Sequence, residues 1–101
     1  MRVIEIFLPL SDNQGKRFDR RVYDCVREEL LIHFDGVTTF LRAPAEGLGD
    51  EEGITRHDDI IIFEVMAETV DEPWWADFRK NQELVFKQNK ILIRACEITL
   101  L

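Results

Sequence analysis

Two glutamates and one arginine are the residues of this chain best suited to chemistry. Glu5, Glu64 and Arg94 each interrupt an otherwise apolar run. A guanidinium binds carboxylates in a planar, bidentate way, so the three can form a structural ion cluster. Alternatively, they form a catalytic unit in which Glu5 or Glu64 accepts a proton and Arg94 stabilises developing negative charge. Both interpretations stay open, and the structural one is favoured because ion networks often have purely structural roles.

The sequence predicts no metal site and no cofactor. His33 and His57 are the only histidines, and the topology derived below separates them to opposite ends of a sheet. Cys25 and Cys96 have no CxxC or Cys/His spacing. This cysteine usage is typical of a reducing compartment, where free cysteines are mostly small core residues. The chemistry that remains therefore centres on the charged residues named above.

Composition excludes several classes of partner. The 101 residues are 46% hydrophobic and 33% charged, which is typical of one globular domain spanning residues 1–101. A net charge of −7 argues against nucleic acids and anionic membrane surfaces, because both attract basic proteins. No apolar stretch is long enough to span a bilayer, and the first ten residues lack a signal-peptide pattern. The expected location is the cytoplasm.

The elements that position the charged residues follow a β-α-β-β-α-β order. The predicted strands cover residues 3–8, 37–42, 59–66 and 91–100. Asp19 is predicted to begin the first helix and Gly36 to end it, while Asp71 and Pro73 mark the start of the second. This order predicts an α+β ferredoxin-like sandwich with antiparallel sheet order 4-1-3-2 and both helices on one face. The glycine-rich, acidic segment 43–55 is expected to be an exposed flap.

The two faces of the predicted sheet differ, because side chains alternate along each strand. One face is almost purely apolar and belongs under the helices. We call the other one the open face; it mixes apolar and charged residues, namely Val3, Glu5, Phe7, Thr38, Phe40, Arg42, Ile60, Ile62, Glu64, Met66, Leu92, Arg94 and Cys96. Monomers rarely expose so large an apolar patch. We therefore expect a homodimer in which a second copy covers the open face about a two-fold axis.

The element order and the amphipathic open face resemble the dimeric α/β-barrel superfamily, in which two ferredoxin-like sheets pack face to face. Within it, the segments Leu8–Gly15, Arg42–Leu48 and Asp58–Met66 are similar to a group of small uncharacterised bacterial proteins. The superfamily includes cofactor-independent monooxygenases, isomerases and haem-degrading enzymes. The haem-degrading members use a histidine on the second helix, and residues 71–89 contain none here. The resemblance thus implies a fold and a dimer without assigning an activity.

Two hypotheses for function follow. In the first, the dimer encloses a site for a small apolar or aromatic molecule, on which it acts without a cofactor as a monooxygenase or isomerase would. The predicted ligand-binding residues are Phe7, Phe40, Arg42, Ile62 and Met66, beside Glu5, Glu64 and Arg94 as the catalytic candidates. In the second, the two open faces pack fully together, and the protein is a non-catalytic homodimer or interaction module. The identity of any substrate lies beyond the sequence.

Overall fold

The computed structural model describes residues 1–42 and 60–101, and among these it leaves out the side chains of residues 40–42. Four strands and two helices occur in this part of the chain, with the predicted types and order. They are β1 (Arg2–Pro9), α1 (Arg20–His33), β2 (Val37–Arg42), β3 (Ile60–Ala67), α2 (Glu72–Val85) and β4 (Leu92–Glu97). The predicted flap 43–55 and His57 lie outside the described residues.

The four strands form one antiparallel sheet. Its order is β2-β3-β1-β4, which counted from the β4 edge is 4-1-3-2. Each neighbouring pair is antiparallel, with β1 and β3 at the centre. The α+β class, the four-stranded antiparallel sheet and the two helices are as predicted. None of the helices in the described ranges is long and apolar enough to cross a membrane.

The core lies between the sheet and both helices. Burial alternates along β1, where Ile4, Ile6 and Leu8 are fully buried. These side chains share one hydrophobic cluster with buried residues of β3 and of both helices, namely Phe63, Val65, Val26, Leu30, Trp75, Phe78 and Phe86. Both helices therefore cover the same face of the sheet, as the alternation predicted. Within residues 1–42 and 60–101, no helix packs on the opposite face.

Both helices begin at the predicted aspartates. The carboxylate of Asp19 accepts a hydrogen bond of 3.0 Å from the backbone N–H of Arg21. That of Asp71 accepts one of 3.2 Å from the N–H of Trp74. Each bond satisfies one of the N–H groups that a helix start leaves free. The two starts were predictable because N-capping depends on local side-chain chemistry.

The end of α1 differs from the prediction. The helix stops at His33, before Gly36, and Phe34 already has extended backbone. Its ring packs edge-on against Trp74 at 5.8 Å and stacks on Trp75 at 5.5 Å. Contacts with α2 therefore hold the chain where the helix ends. Gly36 is not the terminator.

The end of α2 has the hydrogen bonds of a Schellman motif. The N–H of Lys87 donates to the carbonyl of Leu84, and the N–H of Gln88 donates to the carbonyl of Glu83. Lys87 has a φ of 53°, the left-handed conformation that this motif requires and that glycine usually fills. Glu83 also binds the next strand, because its Oε2 accepts a 3.0 Å hydrogen bond from the N–H of Ile91.

A tight turn follows β1. The Oδ1 atom of Asp12 accepts hydrogen bonds of 2.9 Å from the backbone N–H groups of Gln14 and Lys16. The bond from Lys16 is the main reason that the pKa of Asp12 lies below its usual value. Gly15 sits inside the turn with a φ of 84°. The turn returns the chain toward α1, where the Tyr23 hydroxyl reaches the carbonyl of Pro9.

The last strand is shorter than predicted. It ends at Glu97 rather than continuing to Leu100. The ladder between β4 and β1 ends at the pair formed by Glu97 and Arg2, whose side chains approach to 3.5 Å. One further backbone bond joins the N–H of Ile98 to the carbonyl of Met1. The apolar composition therefore predicted too long a strand, because the length of β4 depends on how far β1 extends beside it.

Candidate functional site

A row of polar residues crosses the open face. Glu5 on β1 stands directly opposite Glu64 on β3 and, on its other side, opposite Arg94 on β4. Thr38 on β2 extends the row beyond Glu64. The order across the sheet is thus Thr38, Glu64, Glu5, Arg94, which we call the charged row. The three candidate catalytic residues share the open face, as the strand alternation predicted, and the strand register aligns them in one row.

Glu5 and Arg94 form an ion pair. The Nε atom of Arg94 donates a 2.8 Å hydrogen bond to Oε1 of Glu5. This bond raises the pKa of Arg94 above its ordinary value. The guanidinium carbon also lies 4.9 Å from the centre of the Phe7 ring, within the range of a cation–π contact. Two contacts therefore fix the guanidinium, although about half of the Arg94 side chain, 53%, remains exposed.

Glu64 lies outside this pair. It is half-buried, and among the described residues it makes no ion pair or side-chain hydrogen bond with Arg94. The reason is distance across the sheet, since β1 lies between β3 and β4. The sequence-based interpretation of one guanidinium between two carboxylates is therefore corrected to one pair and one separate carboxylate. Like charges directly opposite on adjacent strands are unfavourable, so Glu64 gains nothing from Glu5.

Apolar residues flank the charged row on both sides. On one side the cross-strand row is Phe40, Ile62, Phe7 and Leu92; on the other it is Met66, Val3 and Cys96. Met66 is 47% exposed and Leu92 is 51% exposed. The open face thus presents apolar side chains around a charged strip.

Ile62 corrects the predicted extent of this patch. It is only 4% exposed in the single chain, although it points away from the helices. It belongs to a central strand and has an aromatic residue at each cross-strand position, Phe7 and Phe40. A ligand would therefore meet Phe7, Met66 and Leu92 before Ile62. The side chains of Phe40 and Arg42, both predicted to bind a ligand, lie outside the described residues.

Leu92 and Thr38 also belong to this surface. Both were assigned to the open face, but neither was chosen as a site residue. Leu92, at 51%, is slightly more exposed than Met66 on that face, and Thr38 completes the charged row. The strand alternation of the sequence placed both residues on the open face. It did not give the register that aligns the four strands with one another.

The remaining candidates do not form a catalytic group. Cys25 and Cys96 are free and exposed. The exposure of Cys25 corrects the general expectation of a core cysteine, whereas Cys96 lies on the open face to which it was assigned. His33 packs against Trp74 with ring centres 4.7 Å apart, at the end of the sandwich where α1 stops. Within residues 1–42 and 60–101, no three His, Cys, Asp or Glu side chains are grouped so as to hold a metal ion.

Two grooves lie beside α2. One, of about 550 Å³, opens beside α2 and is lined by Glu29, Trp74, Asp77, Phe78, Lys80, Asn81 and Leu84. The other, of about 250 Å³, lies between α2 and the β4 edge; Ile4, Trp75 and Ile93 line it, and so does Arg94 of the charged row. Both are open and face the helix side of the sheet. Neither contains the two glutamates of the charged row.

Comparison with protein-family models, with curated proteins and with solved structures finds no match to this chain.

Proposed function

We propose that this chain is a ferredoxin-like protein that forms a homodimer through its open face and binds a small apolar or aromatic molecule between the two sheets. The observation that carries the proposal is the Arg94 guanidinium, held by Glu5 and Phe7 among exposed apolar side chains. Ligand sites combine apolar walls with a few fixed polar groups. The open face has this composition.

Exposure supports the dimer. Met66 and Leu92 flank the charged row on the face away from α1 and α2, and each exposes about half of its surface. A second copy removes this surface from water, at roughly 25 cal/mol per Å² of apolar area. An isologous dimer uses the same self-complementary surface on both copies, so no second protein is needed to cover the face. The resemblance to dimeric α/β barrels points to the same arrangement.

One observation favours the alternative, a non-catalytic dimer with a solid interface. Ile62 is already buried in the single chain, and Glu5 already binds Arg94. Under this alternative the side chains fill the space between the two sheets, and the ion pair only fixes the position of one sheet relative to the other. The two candidates therefore share the dimer and differ in whether a ligand occupies it.

The dimer is tested by Leu92→Asp. Leu92 is half-exposed, so the new carboxylate costs the single chain little, whereas it would be buried without a partner in the dimer. The matched control is Leu84→Asp, which changes the same residue type at a 79% exposed position on α2. Analytical ultracentrifugation is expected to show dimers for the wild type and the control and monomers for Leu92→Asp. A monomeric wild type at micromolar concentration would refute the dimer.

The ligand is tested by native mass spectrometry of the protein purified from cells. A dimer carrying extra mass that is lost on denaturation supports the binding proposal. Met66→Trp is then expected to remove that mass by filling the space with an indole, while Leu84→Trp retains it. A dimer without bound mass, which also fails to bind a fluorescent anilinonaphthalene sulfonate probe, would leave the solid interface as the function of this face.

A further inference from the structure

Within the described residues, the charged row leaves one acid and one base incompletely paired, on opposite sides of β1. Glu64 has no ion-pair partner among the described residues and faces another carboxylate, Glu5, across the strands. Arg94 uses only its Nε atom in the bond to Glu5. The other N–H groups of the guanidinium make no described hydrogen bond, and an arginine presents them in a fork suited to a second carboxylate. The two residues cannot meet within one chain, because β1 separates their strands.

We infer that Glu64 of each copy pairs with the partner's Arg94, so that the two-fold axis of the dimer runs along β1 near Glu5. This inference rests on the dimer proposed above and specifies its register. Glu64 and Arg94 are each one strand away from Glu5, on opposite sides, at the usual spacing of roughly 4.8 Å. A two-fold rotation about β1 exchanges these two sides. Each Glu64 then faces a guanidinium, and the pairing occurs twice.

Charge pattern selects this axis over the one perpendicular to it. If the two-fold axis ran across the strands along the charged row, Glu64 would face the partner's Glu64, and Arg94 would face the partner's Arg94. Both contacts are repulsive, and burial would strengthen the repulsion. With the axis along β1, only Glu5 faces its own copy, and each Glu5 is neutralised by the Arg94 of its own chain.

The same axis also brings the exposed apolar residues together. Ile62 and Leu92 are the two cross-strand neighbours of Phe7, and Met66 and Cys96 are those of Val3. Rotation about β1 therefore places Leu92 opposite the partner's Ile62 and Met66 opposite the partner's Cys96. The half-exposed side chains of Met66 and Leu92 are thus covered by the operation that pairs the charges.

Charge-reversal variants test the inference. Glu64→Arg and Arg94→Glu are each expected to weaken the homodimer at least about ten-fold, because each places like charges across the axis. Mixed together, the two variants are expected to form a one-to-one heterodimer, since every arginine then faces a glutamate. The double variant is expected to regain the homodimer, because Glu5 lies between both positions and can bind an arginine from either side.

The outcomes test the proposed register independently of whether the dimer forms. If both single variants remain dimers, or if the mixture gives no heterodimer, the proposed register is wrong, while a monomeric Leu92→Asp would still support the dimer. Circular dichroism checks that each variant folds. If a charge-reversal variant fails to fold, Glu64→Gln replaces it. Added salt should weaken the wild-type dimer more than the dimer of this variant, because only the wild type has the charged pair. An equal salt dependence of the two dimers would overturn the inference.

Discussion

The hydroxyl of Tyr23 donates a 2.6 Å hydrogen bond to the carbonyl oxygen of Pro9, joining the first turns of α1 to the last residue of β1. Partial burial raises the pKa of this phenol to about 12. The ring also packs against Phe86, whose centre is 5.4 Å away. One polar contact and one ring contact thus hold α1 against the sheet at the same point.

This contact predicts a loss of stability at alkaline pH. Below pH 10 the phenol is neutral in both states. Between about 10 and 12 the unfolded chain loses the proton first, so the free energy of unfolding decreases as the pH rises. Tyr23→Phe should lower the free energy of unfolding by about 1 kcal/mol at neutral pH. The variant should also lack the part of the alkaline decrease that comes from this phenol. Because Tyr23 is the only tyrosine, phenolate absorbance reports its titration directly; a midpoint near 10 in the folded protein would contradict the prediction.

Lys87 offers a stabilising substitution. Its positive φ costs a side-chain-bearing residue roughly 1–2 kcal/mol, and glycine avoids that cost. Lys87→Gly should therefore raise the free energy of unfolding by about 1 kcal/mol. Lys80→Gly is the matched control, since the same change inside α2 should lower it by about 1 kcal/mol. Urea denaturation measures both, and a loss at both positions would show that the conformation of Lys87 carries no strain.

Gly15 and Gly36 should respond differently to alanine. A Cβ at either position meets no atom within 4 Å, so space does not distinguish them. Only Gly15 has a positive φ, and Gly15→Ala should cost about 1–2 kcal/mol. Gly36→Ala should be neutral or slightly stabilising, because it restricts the unfolded chain. Thermal unfolding of the two variants compares them, and equal midpoints would refute the argument from φ.

Glu83 should matter through its acceptor oxygen rather than its charge. It binds the N–H of Ile91, a residue that is only 3% exposed. Glu83→Ala leaves that N–H without a partner and should cost about 2 kcal/mol. Glu83→Gln keeps an acceptor and loses only the weak contact to Arg79 at 3.9 Å, so it should be nearly neutral. Equal losses in both variants, measured in urea, would assign the effect to charge.

Local signals explain what the sequence predicted correctly. Asp19 and Asp71 act on N–H groups two or three residues away, so capping needs no knowledge of the rest of the fold. The alternation of β1 separates Ile4 from Glu5 wherever the strand pairs. The α+β class follows from the same local patterns.

Contacts between distant segments explain the rest. The end of α1 depends on Phe34 stacking on Trp75, which is far away in sequence. Likewise, the strand alternation placed both Glu5 and Glu64 on the face of Arg94, but only Glu5 reaches the guanidinium, because β1 lies between β3 and β4. The low exposure of Ile62 again reflects its neighbours on the adjoining strands rather than its own hydrophobicity.

The packing of Trp74 and Trp75 determines which events intrinsic tryptophan fluorescence reports. These two indoles are the only tryptophans, and both lie in the first turn of α2 against Phe34 and Phe78, on the helix side of the sheet. Intrinsic fluorescence therefore reports unfolding of the sandwich and has no reporter on the open face. Association there should appear in such data only indirectly, as an unfolding midpoint that rises with protein concentration.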